Sequence, residues 1–72
     1  MILKDAILFV LHYDEILAKT LNEICAEVTR NTKFDGRTVK MGIKVLVRKG
    51  MVKKFTRPND TTKVNYYIRV GD

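Results

Sequence analysis

The sequence predicts an α+β fold of three helices followed by a two-stranded β-hairpin, with a short third strand possible near residues 16–18. Two observations carry this expectation, and a third, of charge, bears on partners. Apolar residues recur at helical spacing as far as Gly50, and beyond it they alternate with polar ones. Turn chemistry in that second part is concentrated at Arg57-Pro58-Asn59-Asp60. Charge is segregated: residues 1–28 hold two lysines against five acids, a net −3, while residues 29–72 hold twelve lysines or arginines against three acids, a net +9. A chain of 72 residues has room for one domain, residues 1–72, on one core. Apolar residues are 46% of it, too many for a disordered segment.

The first helix is expected over residues 2–13. Leu3, Ile7 and Val10 form its core stripe at i, i+4 and i+7. A second stripe, Ile2, Ala6, Phe9 and Tyr13, lies about 100° away, with Leu8 near the polar side. That arc is wider than one small core needs. Either the helix is central and covered on two faces, or the second stripe is a dimer interface with another copy.

The second helix is expected over residues 20–29. Thr20 is its N-cap, and Glu23, three residues on, completes a capping box. Leu21, Ile24, Cys25 and Val28 make the buried side. Cys25 is the only cysteine, so no internal disulfide forms, in keeping with a reducing compartment. It reads as a small core residue. One Cys and one His, His12, fall short of a four-ligand metal site, and nothing pairs them as nucleophile and base. A polar connection over residues 29–34 follows, with Phe34 closing over the core.

The third helix, residues 36–49, is the element the others serve. Val39, Ile43 and Leu46 share one narrow stripe, with Gly42 and Val47 on its shoulders. Arg37, Lys40, Met41, Lys44 and Arg48 fall on the opposite side. Asp35 is placed to N-cap the helix, and Gly50 follows a basic last turn as a C′ residue. A solvated helix face normally mixes signs for i,i+4 support, yet no acid lies between Gly36 and Lys49. The face is therefore read as a surface for a polyanion. Residues 51–70 then form the hairpin. In its returning strand Val64, Tyr66, Ile68 and Val70 are expected on the inward face, with Lys63, Asn65, Tyr67 and Arg69 outward.

This order of elements resembles the winged helix-turn-helix. TLNEICAEV, from Thr20, looks like the second helix of MarR- and ArsR-type regulators, with a small residue at Cys25. RTVKMGIKVLVRKGMV is similar to their recognition helix and first wing strand: Val39, Ile43 and Leu46 stand at the buried positions, and Lys49-Gly50-Met51-Val52 gives the terminal pattern. KVNYYI is similar to the returning wing strand. The likeness covers about residues 20–70. The connection at residues 29–34 is longer than the family's tight turn, and the flanking dimerisation helices of larger regulators are lacking. In compactness the chain is similar to small standalone proteins of phages and archaeal viruses.

The resemblance implies sequence-specific binding to double-stranded DNA by a small transcriptional regulator, with the third helix in the major groove and the wing on adjacent backbone or minor groove. Arg37, Lys40 and Lys44 are donors for base edges or phosphates. Thr38 is a phosphate ligand, and Met41 touches a thymine methyl or packs. Arg48, Lys53 and Lys54 are phosphate contacts, joined at the wing tip by Arg57, Asn59 and Lys63. Stacking on single strands ranks below duplex binding, because alternation turns Tyr66 inward and leaves only Tyr67 exposed.

The competing reading is a winged-helix module that binds protein in a larger assembly, since fold alone does not decide function. No paired carboxylates or Gly-rich phosphate loop suggest an enzyme. No cofactor, metal or small-molecule ligand is expected. No apolar run approaches the roughly 20 residues of a membrane span, and no basic leader with a cleavage site is present, so the expected location is the cytoplasm, that of the host if the protein is viral.

Overall fold

The structure, a computed structural model, describes residues 2–58, 61 and 63–71. In chain order it holds α1 (Leu3–Val10), a 3-10 turn (Glu15–Leu17), β1 (Lys19–Thr20), α2 (Leu21–Asn31), α3 (Gly36–Arg48), β2 (Val52–Thr56) and β3 (Asn65–Arg69). The strands form one antiparallel sheet in the order β1-β3-β2. The third strand thus exists, at Lys19–Thr20 instead of residues 16–18. Ile16 and Leu17 belong to the 3-10 turn, which Asp14 caps by accepting from the Ile16 N–H at 2.9 Å.

The first helix ends three residues before the expected Tyr13. Leu11 is already extended, and the His12 carbonyl accepts from the Arg69 N–H at 2.9 Å, continuing the sheet. The last turn of α1 contains no basic residue. Lys19 supplies one from β1: its Nζ donates to the Val10 carbonyl at 2.7 Å and to Glu27 Oε1 at 2.7 Å. A cation at a helix C-terminus is favourably placed against the helix dipole. Leu8, expected near the polar side, is buried instead, in the core against which Met51 packs. Ala6 also leaves the second stripe for the core, whereas Ile2, Phe9 and Tyr13 stay exposed.

In α2 the capping box forms as expected. Thr20 Oγ1 accepts from the Glu23 N–H, and Glu23 Oε1 accepts from the Thr20 N–H. These bonds hold the Glu23 carboxyl below its ordinary value. The helix runs to Asn31, two residues past the expected end, so the connection to α3 is shorter than residues 29–34. Without a terminal glycine, a side chain satisfies one of its last carbonyls, Thr32 donating to Val28 O at 2.7 Å, while Thr29 and Asn31 donate to Cys25 O and Glu27 O one turn back within the helix.

Asp35 N-caps α3, accepting from the Thr38 N–H at 2.8 Å, which holds its carboxyl low. Gly50 ends the helix at φ +78, a conformation that favours glycine. Val39, Ile43 and Leu46 are all buried, in a core shared with Ile7, Ile24 and Val28. Gly42 lets α1 approach closely: a Cβ there would lie 2.8 Å from Leu3 Cδ2 and 2.8 Å from Ile7 Cδ1.

The returning strand differs from expectation at Tyr67, Val64 and Val70, while Ile68 is buried and Lys63 and Asn65 are exposed as expected. Tyr67 joins the core under the helices, and Val64 and Val70 are exposed. Ile68 is also buried, on the other face, where the 3-10 turn packs against β3. A central strand covered on both faces loses the one-sided alternation from which its sidedness was read.

Gly42→Val is expected to destabilise the fold by about 1–3 kcal/mol, because a branched side chain must displace Leu3 and Ile7. The measurement is the urea midpoint at unchanged m-value. An unchanged midpoint would mean that α1 is not seated on this part of α3.

Candidate nucleic-acid interface

The apolar stripe of α3 is committed to the core, so the rotation of the helix is set and its other side must face solvent. Arg37, Lys40, Lys44 and Arg48 are exposed there, and Met41 is 63% exposed. Thr38 is half-buried near the helix start. Among the described residues the two ion pairs, Lys19–Glu27 and Lys53–Glu15, leave these four cations unengaged.

Three of them turn toward the sheet. Lys40, Lys44 and Arg48 border a groove of about 350 Å³, with Lys54 of β2 on the facing wall. Its floor is apolar, made of Leu21, Ile43, Val47 and Tyr67, and no carboxylate lines it. Like charges converging on one concavity raise its positive potential and favour an anion there. Arg37 and Met41 do not line the groove and stand exposed elsewhere on α3.

The hairpin cations divide between two faces. Lys54 is paired in register with Tyr67 and shares the groove side, while Lys53 is paired with Ile68 and points the other way. There Lys53 Nζ lies 3.7 Å from Glu15 Oε1, both side chains being well exposed, which makes a weak surface pair. Arg57 is on the same outer face. Its Nη2 donates to the Glu15 carbonyl at 3.1 Å, and its guanidinium lies 4.2 Å from the centroid of the Tyr66 ring. Tyr66 also meets Phe55, with ring centroids 6.0 Å apart. Arg57 therefore ties the hairpin to the 3-10 turn, and the aromatic cluster it covers lies away from α3.

Lys63 is exposed at the return of the hairpin with φ +56, the one non-glycine residue at positive φ among those described. Asn59, also expected at the tip, lies outside the described residues, as does Asp60 of the same turn.

Tyr67 is the groove residue that sequence reasoning left out. Tyr67 as a whole is 7% exposed and belongs to the core, yet its hydroxyl has no hydrogen-bond partner among the described residues. No described buried side-chain oxygen or nitrogen lacks a partner, so this hydroxyl must be open to solvent, and Tyr67 lines the groove. Burial pushes its pKa above the ordinary 10.0, which keeps it a neutral donor. Adjacent tyrosines in a strand necessarily place one ring on each face, and that signal was available in the sequence.

Cys25 is half-buried, with Sγ 3.9 Å from the Gly36 carbonyl, and burial raises its thiol pKa. Among the described residues no three His, Cys, Asp or Glu side chains gather as a metal site, and no helix is long and apolar enough to cross a membrane. No family model, curated protein or solved structure matches the chain.

Left-handed backbone at a residue other than glycine costs about 1–2 kcal/mol, part of which a glycine returns through its greater freedom when unfolded. Lys63→Gly is therefore expected to gain up to about 1 kcal/mol of stability in urea denaturation while removing a cation from the hairpin tip. A loss of stability would show that the lysine side chain makes a compensating contact.

Proposed function

We propose that this chain is a small winged helix-turn-helix protein that binds double-stranded DNA and regulates transcription, with α3 in the major groove and the β2–β3 hairpin as the wing on adjacent backbone or minor groove. The observation that carries this reading is the face of α3: four cations, no acid and, among the described residues, no ion pair, on a helix whose orientation its own apolar stripe fixes. Three helices followed by a hairpin, with a short strand between the first two helices, support the same reading. Lys54 extends the basic surface onto the sheet and Lys63 carries it to the hairpin tip, where a cation is kept in an unfavourable backbone conformation. Arg37 and Met41 are the candidates for reading bases, and Lys40, Lys44, Arg48 and Lys54 for phosphate contacts.

Fluorescence anisotropy on random duplex DNA tests the reading. Each neutralised phosphate lowers the slope of log K against log salt by about 0.9, so a total slope of at least roughly −3 is expected. Arg37→Ala should then weaken a selected site more than random DNA, by about 1–3 kcal/mol if the contact is bidentate. Absence of binding at low salt, or a flat salt response, would remove the duplex reading and favour a protein-binding module.

A homodimer through α1 is a second part of the proposal. Phe9 is 78% exposed, with Ile2 and Tyr13 exposed as well, while Ala6 is buried within the chain. A two-fold pairing would cover these side chains and present two copies of α3 to a pseudo-palindromic site. Because Phe9 lies outside the core, Phe9→Glu is expected to leave the fold intact, shift sedimentation from dimer to monomer and weaken DNA binding. A single 8.3 kDa species for the unmodified chain at micromolar concentration would exclude the dimer.

A further inference from the structure

We infer that the groove between α3 and the sheet is the seat of one sugar-phosphate unit of the DNA backbone, with the Tyr67 hydroxyl donating to its phosphate. This rests on the duplex-binding reading and deepens it, by naming where one strand lies and a neutral residue that holds it.

The groove has two chemistries at once. Its rim carries Lys40, Lys44, Arg48 and Lys54 and no acid, and its floor is apolar. A rim of cations by itself suits any anion. The floor narrows the ligand, because a nucleic-acid strand alternates an anionic phosphate with a sugar whose C–H face is apolar. Tyr67 lines the groove, and its hydroxyl is accessible and without a partner among the described residues. Its ring is gripped by the core, so the donor is positioned before any ligand arrives. A preorganised donor loses little freedom on binding, unlike the ends of the four long side chains around it.

The seat also divides the labour of α3. With Lys40, Lys44 and Arg48 directed to one strand's backbone, Arg37, Met41 and Val45 are the exposed residues of the helix left, and of these Arg37 and Met41 are assigned to base edges. The flank of α3 that faces the sheet therefore follows the backbone, and the flank bearing Arg37 and Met41 enters the groove of the duplex.

The two kinds of contact differ in their dependence on salt. A lysine that neutralises a phosphate displaces counterions, whereas a phenol hydrogen bond displaces none. In anisotropy titrations on random duplex from 50 to 200 mM salt, Tyr67→Phe should weaken binding about 5- to 10-fold at every salt concentration, at unchanged slope. Lys54→Ala should weaken binding and reduce the magnitude of the slope by about 1. The aromatic proton resonances of Tyr67 in the unmodified protein should also shift on adding duplex, a readout that needs no variant. Unchanged affinity in a folded Tyr67→Phe, or tyrosine resonances that do not move while DNA binds, would overturn the seat and leave duplex binding standing. Displacement of the duplex by polyglutamate with loss of affinity for that peptide in Tyr67→Phe, against unchanged affinity for DNA, would assign the groove to an acidic protein segment and overturn it too. Failure of the unmodified protein to bind duplex at low salt would instead remove the reading beneath it.

Discussion

The burial of Val39, Ile43 and Leu46 is the constraint on which the rest of the molecule depends. Each large apolar side chain withdrawn from water contributes about 1.5–3 kcal/mol, so the stripe is a substantial part of what holds so small a domain. It also acts as a rotational lock. Turning α3 by one residue, about 100°, would drive Lys40 toward the core and expose Val39. An unpaired charge taken into an apolar interior costs several kcal/mol, so the helix has one acceptable orientation. The direction of its cations is thus a consequence of packing, and stability and surface chemistry are encoded in the same thirteen residues.

Much of this was legible in the sequence because the signals were local. Thr20 with Glu23, Asp35 with Thr38, and Gly50 after a basic turn each mark a helix end through bonds spanning a few residues, and all three formed. What the sequence concealed depends on partners far along the chain. The early end of α1 goes with a bond between the His12 carbonyl and the Arg69 N–H, and Leu8 is buried in the core against which Met51 packs. The side to which Tyr67 points follows from β3 lying in the middle of the sheet with both faces covered. Alternation reports which residues share a face. It does not say which face is inside when both are.

The basic residues looked like one set in the sequence because they are close in number. In space they are at least two. Lys54 looks across a groove at α3, while its neighbour Lys53 and, just past the strand, Arg57 are occupied with the 3-10 turn on the other side of the sheet. Arg57 illustrates how a cation can be structural in a chain of strongly positive charge: it stacks on Tyr66 and bonds two backbone carbonyls 41 and 42 residues away. Lys19 is similar, bridging the end of α1 to Glu27. A count of charges therefore overstates how many are available to a partner.

The sheet order has a bearing on colloidal behaviour. With β3 in the middle, β2 is an edge strand, and its outer backbone donors and acceptors have no neighbouring strand among the described residues. Such edges recruit strands from other molecules unless something prevents it. Here Lys53 and Lys54 sit consecutively, one on each face, and Pro58 follows shortly after the strand. Two copies approaching edge to edge would bring four ammonium groups together, with only the exposed Glu15 beside each Lys53 to offset them. Neutralising these lysines would therefore do more than subtract affinity for a polyanion, since it would also unblock the edge and invite self-association.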